Sequence, residues 1–195
     1  MIKNKRVMMI VISLAILVMV LQINGVLGQA GKTSTEMEQI KRGEYLVEIG
    51  GCNDCHSPKK FTEMGPVPDE NRLLSGHPQN LALPKIDPSL IGPGKWVLMN
   101  DNLTATVGPW GVSFAANLTP DNQTGIGLWK ESNFIQALRT GKHMGAGRPI
   151  LPPMPWFNLA KATDEDLKAI FAYLKSLKPI RNAVPAPIPP NELTK

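Results

Sequence analysis

A chain of 195 residues with 43% hydrophobic residues is long enough to bury one sizeable core. Its formal charge of +5 falls to +2 without Lys3, Lys5 and Arg6, which have no acidic counterpart in the first 30 residues. That near-neutral balance excludes nucleic acid as an expected partner, and no Ser/His/Asp set, phosphate loop or paired-carboxylate site stands out.

In chain order, residues 1–30 read as an export signal. Lys3, Lys5 and Arg6 form a positive start, residues 7–21 are apolar apart from Ser13, and Gly25, Gly28 and Ala30 offer small residues for cleavage. The alternative is a retained membrane anchor, although Gln22 and Asn24 interrupt the apolar run. The expected location is the periplasm, or the membrane surface facing it, with membrane contact only if this segment is kept.

A helix is predicted over about 36–49, with Met37, Ile40, Leu46 and Val47 near one face and Gly43 among them. Glycine inside a helix costs about 1 kcal/mol relative to alanine, a cost that close approach of a second helix would justify. Directly after it comes Cys52-Asn53-Asp54-Cys55-His56, which uses both cysteines of the chain. This C-x-x-C-H string reads as the attachment site of one haem c. Two thiols three residues apart lie on one side of a helical turn, where they can add to the two vinyl groups of a porphyrin. The next residue, His56, then offers its imidazole to the iron. A thioredoxin-like site would need a βαβ surround, and a zinc site more ligands than His77 and His143 supply.

Residues 57–127 are rich in proline and glycine and lack helical period, so they read as a long loop-rich insertion wrapping the haem, with a small hairpin near 95–106. A second helix is predicted over about 130–140, stopped by Gly141 but with Lys130 as a poor cap. A third follows Thr163-Asp164-Glu165-Asp166, with Leu167, Ile170, Phe171, Leu174 and Leu177 at helical spacing and Pro179 as terminator. Residues 181–195 read as an extended, proline-rich tail. Three helices, with strand-like runs such as 96–99 that are short, make an all-α outline, with one domain over 31–180.

The second axial ligand decides the chemistry. Met37 reads as core, and Met64 lies too near His56 to reach across a porphyrin. Met154 stands in Pro152-Pro153-Met154-Pro155, where three prolines stiffen the chain and can hold a thioether against iron. Met144, Met99, His77 and His143 remain as alternatives. Trp129, Trp156 and Phe157 are candidates for excluding water, and Arg148 for pairing with a haem propionate through its forked donors.

The C-x-x-C-H behind an amphipathic first helix, the proline-flanked methionine downstream and the final packing helix together resemble a class I c-type cytochrome, over about 36–57 and 129–177. The resemblance implies a single-haem, cytochrome c-like helical domain in which the first and last helices cross through Gly43 and Phe171 or Tyr173. Asn117-Leu118-Thr119-Pro120-Asp121, Thr124 through Trp129, and Arg148-Pro149 through Trp156 are similar to strings in exported bacterial cytochromes. Some of those are cytochrome subunits of membrane-associated dehydrogenases.

With His56 and Met154 on the iron, no coordination position is open, so the expected role is single-electron transfer and not catalysis. The expected partners are redox proteins, donor and acceptor, that dock transiently. One alternative is the haem subunit of a dehydrogenase or respiratory complex. The other is a haem enzyme or sensor whose sixth position is open.

Overall fold

Thr163 opens the helix that anchors the core. Its hydroxyl accepts the Asp166 N–H at 3.1 Å, and Asp164, Glu165 and Asp166 place negative charge at the positive helix end. The structure, a computed structural model, describes residues 33–193; the predicted export signal over 1–30 lies outside the described residues. The chain divides into a unit ending at Met37 and a second over Glu38–Lys195. The first enters the described residues only as 33–37, the opening of the first helix.

Five α-helices are described: α1 (Ser34–Ile49), α2 (Cys52–His56), α3 (Glu131–Thr140), α4 (Trp156–Leu159) and α5 (Asp164–Ser176). The all-α expectation is wrong. Two antiparallel sheets stand inside the 57–127 segment, and the fold is mixed. Strands β1 (Lys59–Thr62) and β2 (Gly65–Pro68) form one hairpin, while β3 (Leu98–Met99), β4 (Ala105–Gly108) and β5 (Gly111–Phe114) form a meander. The expected hairpin near 95–106 corresponds to β3–β4, paired Leu98 to Val107 and Met99 to Thr106.

Burial explains why the sheets escape a periodicity reading. All four residues of β4 are buried, so it has no solvent-exposed face, while β1 and β2 are mostly exposed on both sides. Neither case leaves the alternation that marks a half-buried strand. The β4–β5 turn also depends on a distant segment. Gly111 has φ +94°, and a Cβ there would stand 2.0 Å from the Ile188 carbonyl oxygen. The tail comes that close because Val112 and Ile188 exchange backbone hydrogen bonds of 2.8 and 3.0 Å, adding an edge to the sheet.

The main core joins Val47 of α1, Leu74, Ile126, Phe134 and Leu138 of α3, and Leu167, Ile170, Phe171 and Leu174 of α5. Each fully buried leucine among them stabilises the fold by about 1.5–3 kcal/mol. Phe134 and Phe171 meet with ring centroids 5.4 Å apart. Met37, expected in this core, is instead half exposed. At α3, the Asn133 side-chain carbonyl accepts the Lys130 N–H at 3.1 Å and compensates for the weak cap. Gly141 closes the same helix in the left-handed region at φ +66°.

The segment after α5 is extended and docked. Asn182 is buried, and its amide donates to the carbonyls of Ser75 and His77 at 2.7 and 2.9 Å while its oxygen accepts the Gln79 N–H at 2.9 Å. Those bonds tie the tail to the start of the insertion. No described helix is long and apolar enough to cross a membrane.

The β1–β2 hairpin is fastened to the loop that follows it by Asp69. Arg72 Nε lies 2.8 Å and Lys60 Nζ 3.1 Å from its carboxylate oxygens, and the Asn71 N–H adds a third donor. The Arg72 hydrogen bond, helped by Lys60 and Asn71 against the cost of burial, draws the Asp69 pKa down from 3.8 to about 2. A depressed carboxylate pKa contributes stability that is complete above the unfolded pKa and lost as pH falls through the folded one. Asp69→Asn is therefore expected to destabilise by about 1–2 kcal/mol at neutral pH. In urea titrations across pH, that difference should shrink from about pH 4 and be gone below about pH 2. A constant difference over that range would show that the charge is not what matters.

Candidate haem site

Gly50 and Gly51 end α1 and let the chain turn at once into α2. Gly51 sits in the left-handed region at φ +63°, and its carbonyl accepts the Asp54 N–H at 3.0 Å. The single turn that follows puts Cys52 and Cys55 three residues apart, on one side. Both thiols are free and half-buried. Burial pushes the Cys52 thiol up to about 11, and burial likewise raises Cys55. Neither is poised as a thiolate, so a redox-active dithiol finds no support here.

His56 is buried at 9% exposure, and its Nδ1 lies 2.8 Å from the carbonyl oxygen of Ala116. A carbonyl only accepts, so Nδ1 carries the proton and Nε2 keeps its lone pair. No described hydrogen bond engages Nε2. Burial also pulls the His56 pKa down, which keeps the ring neutral. The His56 carbonyl accepts the Gly76 N–H at 2.7 Å, so the insertion grips both the ring and the backbone of this residue. Ala116 was not readable as a site residue, because its contribution is a backbone carbonyl that any residue carries.

Behind the turn lies a buried polar clamp. Ser57 Oγ donates to Asn53 Oδ1 at 2.7 Å and accepts the Leu74 N–H at 2.8 Å. The Lys59 ammonium donates to the carbonyls of Asn53 at 3.0 Å and Ser57 at 2.5 Å. Sequence reading missed this clamp too, since Asn53 inside the motif and Ser57 and Lys59 just after it look like ordinary surface residues.

Met154 is half-buried and packs against the main core, as does Cys52. Leu46, Leu118, Trp129, Ile135, Leu159 and Ala162 pack on the same core without being fully buried. The proline strap that carries Met154 is tied down at both sides: Ser113 Oγ of β5 donates to the Pro152 carbonyl at 2.5 Å, and the Trp156 N–H donates to the Met154 carbonyl at 2.9 Å. Trp156 itself covers Gly141, where a Cβ would stand 2.5 Å from the indole ring, and meets Phe157 edge-on at 6.1 Å. Arg148 is exposed, and its guanidinium reaches only the neighbouring Pro149 carbonyl at 3.4 Å.

The other candidate ligands are placed differently. His77 is fully buried, with Nδ1 2.9 Å from Thr104 Oγ1, Nε2 3.4 Å from the Leu81 carbonyl and its ring 4.8 Å from Phe114. Both its nitrogens are engaged, and burial lowers its pKa. His143 packs edge-on against Trp129 at 4.9 Å. Met144 and Met99 are 43% and 41% exposed, and neither belongs to the core that Met154 and Cys52 share. Among the described residues no group of three or more His, Cys, Asp or Glu side chains is arranged to hold a bare metal ion. The donor set fits an iron porphyrin: two thiols on one side of a turn, an unprotonated imidazole nitrogen, a thioether on the same core and partly buried apolar walls.

No protein family model matches this chain. It is 30% identical over 145 residues to the gluconate 2-dehydrogenase cytochrome c subunit of Pantoea cypripedii, a match covering 74% of this chain and 24% of that relative. Against the fructose dehydrogenase cytochrome subunit of Gluconobacter japonicus it is 29% identical over 146 residues, covering 73% of this chain and 23% of the relative. A third match, 26% identical over 154 residues, pairs 78% of this chain with 24% of the quinone-dependent alcohol dehydrogenase cytochrome c subunit of Gluconobacter oxydans. The chain is thus similar to cytochrome c subunits of bacterial dehydrogenases and spans about a quarter of the length of each of these three.

Proposed function

We propose that this chain is a single-haem c-type electron-transfer protein, exported to the periplasm, that serves as the cytochrome component of a dehydrogenase. In this reading Cys52 and Cys55 hold haem c covalently, and His56 and Met154 are its axial ligands. The observation that carries it is the His56 ring, locked by the Ala116 carbonyl with Nε2 free, one residue beyond the paired thiols. The similarity to dehydrogenase cytochromes favours a dedicated dehydrogenase partner over purely transient donors and acceptors.

When bound, haem c supplies a one-electron ferric/ferrous couple. The residues around it tune and protect that couple. The Ala116 carbonyl fixes the imidazole plane and makes Nε2 a stronger donor. Met154, on its proline strap, would offer the iron a neutral thioether, a ligand that favours the reduced state. Trp129, Leu118 and Leu159 are partly buried on the core that Met154 and Cys52 share, and apolar side chains there would help keep water from the haem and favour the less charged state.

The test is expression of the full chain in a bacterium that attaches c-type haem, followed by a haem-stained denaturing gel and co-purification. Covalent haem is expected in the wild type and lost when Cys52 and Cys55 are both changed to Ser. A dehydrogenase catalytic subunit is expected to co-purify. Wild type without covalent haem overturns the reading. Reduced wild type that binds carbon monoxide readily would instead point to an open sixth position and an enzyme or sensor.

A further inference from the structure

We propose that Lys59 is a positioning residue that raises the reduction potential of the iron held by His56, by placing a buried ammonium behind the Cys52–His56 turn. The proposal rests on the haem reading above. Lys59 is 7% exposed, which is rare for lysine unless a carboxylate neutralises it. Among the described residues no carboxylate lies within salt-bridge distance of its Nζ. The adjacent Lys60 takes the Asp69 carboxylate instead, at 3.1 Å. What holds the Lys59 charge is a pair of carbonyls, those of Asn53 and Ser57, which bracket Cys55 and His56 in the chain. Ser57 is the residue that caps the C-terminal end of α2 and Asn53 lies one turn before it, so the ammonium takes carbonyls that the short helix leaves without a partner of its own. The backbone is fixed as well, because the Lys59 N–H donates to Asn102 Oδ1 at 2.9 Å.

Burying an ammonium is costly, and a neutral donor would satisfy the same two carbonyls at less cost. The charge therefore calls for a reason beyond hydrogen bonding. Its field reaches the haem-holding residues, since the two carbonyls that grip the ammonium belong to the residues flanking the Asp54–His56 stretch. Burial draws the Lys59 pKa down, while the nearby Asp54 carboxylate opposes that shift. In a buried setting the field is weakly screened. A fixed positive charge beside a redox centre stabilises the state carrying one more electron, so it shifts the iron toward the ferrous form.

The experiment compares reduction potentials of the full-length holoprotein in wild type, Lys59→Gln and Lys59→Arg by spectroscopic redox titration. Gln keeps two N–H donors for the carbonyls and removes the charge; Arg keeps both. The expected result for Lys59→Gln is a fall of about tenfold in the equilibrium constant for reduction, or about 59 mV for one electron. Lys59→Arg should stay at the wild-type value. An unchanged potential in Lys59→Gln holoprotein with an unaltered native spectrum overturns the proposal and leaves Lys59 as a carbonyl cap. Equal falls in both variants overturn it as well. If Lys59→Gln does not accumulate, Lys59→Met replaces it and is read in the same way. Wild type lacking covalent haem overturns the haem reading itself, a result distinct from either of these.

Discussion

Met154→Ala is expected to remove the weak far-red charge-transfer band of the oxidised protein, open the reduced protein to carbon monoxide and lower the reduction potential. The shift should exceed that of any other single substitution in the site, because axial ligands span about 0.8 V among haem proteins. The structural ground is shared packing: Met154 and Cys52 lie against the same core, and the strap is held by Ser113 on one side and the Trp156 N–H on the other. Alanine keeps the strap and removes only the thioether. Covalent haem should therefore persist on a denaturing gel while the native spectrum changes. A variant that retains the band would reassign the sixth ligand, and Met144→Ala and Met99→Ala are then the next substitutions to compare.

The second large effect is on assembly. Gly43→Ala is expected to destabilise the protein by roughly 1–3 kcal/mol, although alanine is the better helix former by about 1 kcal/mol. A Cβ at Gly43 would stand 1.9 Å from the Ala169 carbonyl oxygen and 2.8 Å from the Tyr173 Cβ. The obstacle is mainly backbone, which cannot move aside as a side-chain end can, so α1 and α5 must separate. Around the crossing, Arg42 and Asp166 pair at 3.0 Å, and Val47 is fully buried one turn along. Thermal denaturation of Gly43→Ala beside Lys41→Ala, an exposed site on the same helix, checks this. Lys41→Ala should melt close to wild type and Gly43→Ala several degrees lower. Equal melting points would mean that the helices do not cross at Gly43.

The same crossing shows how far resemblance and structure each reach. A tight contact at Gly43 with Phe171 or Tyr173 follows from the resemblance to class I cytochromes. The structure places Tyr173 there, together with the Ala169 backbone, while Phe171 turns away to stack on Phe134. Two residues apart on a helix, Phe171 and Tyr173 face different sides, and packing alone decides which side meets α1. The insertion goes further beyond sequence reading. In the run from 57 to 127 the sequence marks only one small hairpin near 95–106 and not two sheets, yet the Ala116 carbonyl of this segment orients His56 and its Ser113 holds the Met154 strap. The segment expected mostly as loop thus supplies the hydrogen-bond partners of the His56 ring and of the strap that carries Met154.

By itself the sequence determines the local chemistry: the thiol pair and following imidazole at Cys52, Cys55 and His56, the stiff proline frame of Met154, and helices α1, α3 and α5. Each is encoded within one or two turns of chain, in spacing, caps and apolar period, so no distant contact is needed to read it. Only the tertiary structure decides which nitrogen of His56 is free, where His77 and Asn182 are buried, and how the tail completes the β5 edge. It alone brings the Lys59 charge behind the motif. Those features depend on backbone carbonyls and polar side chains meeting across up to 107 residues of chain, and neither group leaves a periodic mark in sequence.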